Sequence, residues 1–118
     1  MLNDAAGLKH IYLCSGYTDM RKGIDGLISL VVGEFGLDPT ETGSLFLFCG
    51  RRTDRMKALL YEGDGWLLCY KRFTNGRLQW PRTADEVKDL TEQQYRWLME
   101  GLSICQKKVI SKVKPELY

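Results

Sequence analysis

A chain of 118 residues, 44% of them hydrophobic, is one domain by size and carries enough apolar material for a modest core without disulfide staples. No apolar run is long enough to cross a bilayer, and residues 1–7 lack the basic and apolar regions of a secretory signal, so a cytoplasmic protein with no membrane partner is expected. The net charge of +2 hides a segregation: residues 45–82 hold eight cationic against three anionic side chains, residues 1–44 hold three against six, and residues 83–118 balance.

The pattern divides the chain into a flexible N-terminus (residues 1–9), a single α+β domain (10–105) and a basic C-terminal tail (106–118). Ile11-Tyr12-Leu13-Cys14 reads as a short strand able to pair with an edge of a sheet, and Ser15-Gly16-Tyr17 as a turn or loop. Met20, Ile24, Leu27, Ile28, Val31, Val32 and Phe35 then recur at helical spacing, predicting a long helix over 19–35 capped by Thr18 or Asp19 and stopped at Gly36. Gly23, Gly26 and Gly33 sit inside that stripe. Each costs about 1 kcal/mol relative to alanine, and each permits close approach of another backbone, from the sheet or a second subunit.

Residues 45–82 predict an antiparallel β-meander. Leu45-Phe46-Leu47-Phe48-Cys49 is a bulky apolar run of strand length, Gly50–Asp54 breaks it, and Met56–Tyr61 resumes it. Glu62-Gly63-Asp64-Gly65 signals a turn before Trp66–Arg72, and Asn75-Gly76 is a strong hairpin signal before Leu78-Gln79-Trp80, which Pro81 ends. Short links imply antiparallel neighbours. The expected fold class is therefore α+β, with a meander of four to five strands packed against one long and one shorter helix.

Residues 83–89 are polar and read as a loop or single turn. A shorter helix over 92–100 carries the clearest local signature in the chain. Thr91 and Gln94 have capping-box spacing, Leu90 and Tyr95 have staple spacing, and Tyr95, Leu98, Met99 and Leu102 share one face.

Cys14, Cys49, Cys69 and Cys105 form no Cys-x-x-Cys pair, so reduced thiols, no structural zinc and no cofactor are expected. His10 is the only histidine, and there is no phosphate-cradling glycine loop. Asp19, Asp25, Asp54, Glu62 and Asp64 are available to a metal-dependent nuclease. Each also has a structural explanation as a cap, a turn or an ion pair.

The cations point instead to a phosphate-bearing partner. Arg51, Arg52, Arg55 and Lys57 lie within seven positions on a turn and its outgoing strand. Lys71 and Arg72 are adjacent in a strand and so face opposite ways, and Arg77 follows the Asn75-Gly76 turn. Trp66, Tyr70 and Trp80 are the aromatics available to stack on bases, or to fill the core. Asp54 among the arginines is placed to orient one of them, and Asp19, Arg21, Lys22 and Tyr70 complete the candidate interaction residues.

Three stretches in register, Asp19–Leu27, Leu45–Lys57 and Tyr70–Phe73 followed by Gly76-Arg77 and Trp80-Pro81, resemble TnpB, the small accessory protein of the sixty-six family of bacterial insertion sequences. That resemblance covers residues 10–102. It implies a non-catalytic accessory protein in DNA transposition, acting beside a separate, larger transposase, with transposon-end or non-specific duplex DNA as the expected partner. It supplies no catalytic residue. A module that docks on the transposase without touching DNA, and a metal-dependent nuclease, are the competing readings. Homo-oligomers fit any of these.

Overall fold

The computed structural model describes residues 7–83 and 86–106; the expected flexible N-terminus (residues 1–6 of it) and nearly all of the basic tail lie outside those residues. Among the described residues seven elements follow in order: β1 (His10–Cys14), α1 (Ile24–Gly33), β2 (Ser44–Phe48), β3 (Arg55–Tyr61), β4 (Trp66–Arg72), β5 (Val87–Asp89) and α2 (Glu92–Met99). The strands form one mixed sheet in the order β4-β3-β2-β1-β5. Every neighbouring pair is antiparallel except β1 and β2, which run parallel with His10 opposite Ser44 and Leu13 opposite Leu47.

The two-residue period of the strands sorts their side chains into two cores. Ile11, Leu13, Leu45, Leu47, Met56, Ala58 and Leu60 face one way and meet Leu78, Trp80, Leu90, Tyr95, Leu98 and Ile104. Cys14, Phe46, Phe48 and Leu59 face the other way, under Leu27 and Val31 of α1. β2 lies at the centre of the sheet with both faces covered, and all five of its residues are buried. That double burial explains why its sequence is continuously apolar rather than alternating.

Several expectations need correction. The long helix over 19–35 is shorter: α1 begins at Ile24, and its N-cap is Gly23, which offers no side-chain bond. Neither expected cap can act, because Thr18 and Asp19 lie at least four residues before Gly23 and Ile24, where the helix starts. The Thr18 N–H donates to the Cys49 carbonyl at 2.9 Å, and the Asp19 carboxylate accepts from the backbone and guanidinium of Arg21. At the other end, Gly36 takes φ +63°, and the Leu37 N–H returns to the Val31 carbonyl. The glycines of this region do not admit a neighbouring backbone. A Cβ would meet nothing within 4 Å at Gly23 or Gly33, and at Gly26 only the Lys22 side chain.

The meander is three strands, β2-β3-β4, and Leu78-Gln79-Trp80 is not a fourth. Leu78 and Trp80 are buried in the α2-side core. The Leu78 N–H goes to the Thr53 carbonyl at 2.8 Å, and the Trp80 indole N–H to the Cys14 carbonyl at 3.0 Å. The segment is held by side-chain packing and single bonds, with no ladder.

The remaining strands come from the ends. The N-terminal strand pairs with β2 in parallel, and α1 is the crossover such a pair requires. Its other edge takes β5, from the segment read as a loop or turn. β5 has weak strand propensity of its own; it forms because the buried β1 has unpaired backbone groups to satisfy. α2 follows the sequence closely. Thr91 and Gln94 make the full capping box, Tyr95 and Leu98 are buried, and Met99 packs against that core, whereas Leu102 is exposed.

Candidate nucleic-acid interface

Because β1 and β2 are parallel, their C-terminal ends open on the same edge of the sheet, as do the loops that leave them, residues 15–23 and 49–54. In sheets with parallel strands, this edge is where ligand crevices form. The Thr18–Cys49 backbone bond and a close fit at Gly50 hold the loops together: a Cβ there would stand 2.7 Å from Met20 Cγ. Between them lies a crevice of 490 Å³ lined by Tyr17, Thr18, Asp19, Met20, Gly50, Arg51, Arg52 and Arg55.

Two carboxylates organise the arginines. Asp54 binds Arg55 at 3.0 Å and Arg52 at 3.2 Å. The Arg55 hydrogen bond is the main reason the Asp54 carboxyl is held below its ordinary range, and Asp54 in turn raises Arg55, with Tyr70 adding to the effect. Asp19 binds Arg21 with both oxygens, at 3.0 and 2.9 Å, and its carboxyl is likewise held down, first by that side chain and then by the Arg21 N–H. Arg51 is the exposed cation of the loop that has no carboxylate partner among the described residues; its guanidinium lies 5.9 Å from the centre of the Tyr17 ring.

The candidate residues divide as follows. Arg51, Arg52 and Arg55 line the crevice together with Asp19, and Asp54 joins two of them. Lys57 reaches the Lys22 carbonyl at 2.9 Å and ties the 15–23 loop to β3. Arg72 is opposite Arg55 and Tyr70 opposite Lys57, so these four share the α1 side of the sheet; Arg72 and Tyr70 are exposed. Lys71 is opposite Met56 on the other face, with its ammonium 5.2 Å from the Phe73 ring centre, and so leaves the cluster. Arg77 lines a separate hollow with Met99, Glu100 and Gly101. Arg21 and Lys22 stand exposed in the loop before α1. Of the stacking candidates, Trp80 is buried and Trp66 packs on Tyr61, with ring centres 4.8 Å apart.

Sequence reading missed Tyr17 and Arg82. The Arg82 guanidinium lies 4.1 Å from the Tyr17 ring centre and donates to the Gly16 carbonyl at 2.8 Å. It also faces Cys49 Sγ at 3.9 Å and opposes the upward push of burial on that thiol. No local pattern announces a contact between residues so far apart. The one available signal was an aromatic side chain in a turn with no apolar neighbours to pack on.

The carboxylates considered for a metal site do not gather, and among the described residues no three His, Cys, Asp or Glu side chains form a metal-holding group. No helix among those residues is long and apolar enough to cross a membrane. The four cysteines are free thiols.

Fold and site together define a small α+β protein with a cationic loop edge at the ends of two parallel strands. The chain belongs to the IS66 Orf2-like family, whose model, described as IS66 Orf2 like protein, matches residues 9–109. Membership makes it a transposition-associated accessory protein. It is similar to two proteins of Sinorhizobium fredii. One is the uncharacterized protein y4jC, 28% identical over 102 residues and 86% of each chain. The other is the uncharacterized protein y4hO, 32% identical over 92 residues, 78% of this chain and 79% of the relative. No solved structure matches.

Proposed function

We propose that this accessory protein binds DNA through the loop edge at residues 15–23 and 49–57, beside a separate transposase that carries the strand-transfer chemistry, and that it performs no catalytic step itself. The observation that carries this reading is the convergence of Arg51, Arg52 and Arg55 in one crevice, with Arg72 and Lys57 extending the same side of the sheet. Guanidinium groups fork onto phosphate oxygens, and cations held by a short loop lose less freedom on binding than cations on a tail. Replacing Arg51, Arg52 and Arg55 together by alanine should flatten the slope of log affinity against log salt by about two to three units on transposon-end and random duplex alike. Unchanged affinity and slope, with the fold intact, would remove DNA binding from this surface.

One observation favours docking on the transposase instead. Arg52, Arg55 and Arg21 already have carboxylate partners, so part of the edge is less cationic than its composition suggests. A protein surface that matches this mixture of cations and carboxylates would then be the partner, and transposase capture would survive in a variant that no longer binds DNA.

A further inference from the structure

We propose that Tyr17 is a stacking platform for one unpaired nucleotide, so that the protein reads a frayed or single-stranded DNA segment and not only a duplex backbone. This rests on the DNA-binding reading above and narrows its ligand.

Tyr17 is the most exposed of the large apolar side chains among the described residues, at 65%. Ordinarily such a residue sits on a mobile tip; this one does not. The residues before it are bonded through Ser15 N–H to the Glu86 carbonyl and Gly16 N–H to the Pro81 carbonyl, and the residue after it through Thr18 N–H to the Cys49 carbonyl. Arg82, anchored on Gly16, lies against the ring at 4.1 Å. The backbone around the ring and the guanidinium against it are thus set before any ligand arrives, which lowers the ordering cost of binding.

Two hollows with polar groups border Tyr17. Tyr17 lines the 490 Å³ crevice of Arg51, Arg52 and Arg55, and also a second hollow of 430 Å³ formed with Ser15, Thr18, Lys22, Glu34 and Arg82. The Ser15 hydroxyl is buried and has no hydrogen-bond partner among the described residues, a costly state that a ligand group entering this hollow would relieve. Arg51 and Lys22 are exposed cations without a carboxylate partner among the described residues, one lining each hollow.

An aromatic face flanked by cations is the combination that holds single strands, stacking on the base while the cations follow the backbone. In an intact duplex each base face is covered by its neighbours. Duplex DNA can therefore satisfy the arginines but cannot use the ring.

The test measures binding of the full chain to one sequence as single-stranded DNA, duplex DNA and single-stranded RNA, with 2-aminopurine as the reporter base. Tighter binding to the single DNA strand than to the duplex, with altered 2-aminopurine emission, is expected. Tyr17→Ala should weaken single-strand binding roughly tenfold and abolish the emission change, while duplex affinity falls by clearly less. Tyr17→Phe should keep both, which separates lost stacking from a disturbed loop. Equal losses on single strand and duplex for Tyr17→Ala, or no strand preference in the wild-type chain, would overturn the platform and leave duplex binding standing. RNA bound as tightly as DNA would overturn the DNA assignment. No binding to any of the three would overturn the DNA-binding reading itself.

Discussion

Gly50 and Met20 stand so close that no side chain fits between their loops: a Cβ on residue 50 would lie 2.7 Å from Met20 Cγ and 3.1 Å from the Thr18 carbonyl oxygen. Met20 can shift, but Thr18 is held by its bond to Cys49. Gly50→Ala should therefore cost about 1–3 kcal/mol, read as a melting temperature lower by roughly 5 °C or more. It should also weaken DNA binding, because Arg51 and Arg52 follow directly. A variant that melts like wild type would show that the loops separate without penalty.

Asp54 restrains two arginines, so removing its charge has an unusual expected direction. Asp54→Asn leaves the side chain's shape and releases Arg52 and Arg55 from their ion pairs. DNA affinity at low salt should rise, and the salt slope should steepen by about one unit. The carboxyl is held below its ordinary value of 3.8. Its contribution to stability is thus present above that pH and lost on acidification below it, and the variant should lose this acid dependence. Binding titrations across salt, with thermal melts at neutral and acid pH, check both parts.

Alkali should loosen the fold. Burial pushes the Cys14 thiol from 9.0 up to about 12. Burial, helped by nearby Cys69, pushes the Tyr95 hydroxyl from 10.0 to about 12. Both folded values lie above the unfolded ones, so the folded chain prefers the neutral forms. Stability from these groups is complete below pH 9 and declines as pH rises from there towards 12. Urea midpoints measured at neutral pH and at about pH 10.5 should show the fall, and Tyr95→Phe should reduce it.

Thr91→Ala removes one half of the capping box, in which the Thr91 hydroxyl accepts from the Gln94 N–H at 3.1 Å and the Gln94 side chain accepts from the Thr91 N–H at 3.0 Å. A loss of about 1 kcal/mol in urea unfolding is expected. Because α2 lies on the opposite face of the sheet from α1 and the Arg55–Arg72 side, DNA affinity measured well below the melting temperature should not change.

Legibility in the sequence followed the range of the interactions. α2 and its cap were readable because Leu90, Thr91, Gln94 and Tyr95 interact with one another. β2, β3 and β4 were readable from apolar runs between turn residues. The start of α1 was not, since Thr18 and Asp19 look like caps until the loop they sit in is docked on Cys49 through the Thr18 N–H and turned by the Asp19–Arg21 pair, which leaves the helix to begin at Ile24. β5 was invisible because its reason for existing is the unpaired edge of β1. In the site, Arg51, Arg52 and Arg55 were legible as a local charge cluster. Lys71 and Arg72 were legible as an opposed pair, though only pairing with Met56 and Arg55 decides which one joins the cluster. Tyr17 and Arg82 meet only after the sheet has formed.

The position of β1 also has a consequence for the chain while it is being made. β1 leaves the ribosome before the other described strands, yet its two partners are β2 and β5, the second of them encoded after the whole meander. A chain that stops after β4 has already paired β1 with β2 and still exposes the backbone edge that β5 would cover. Ile11, Leu13 and Cys14 lie along that edge with no α2 to shelter the face on which Ile11 and Leu13 sit. Such an edge is a template for another strand. Prematurely terminated copies of this protein should therefore be the form that aggregates, and the last few residues of the sheet act as the seal on its open edge.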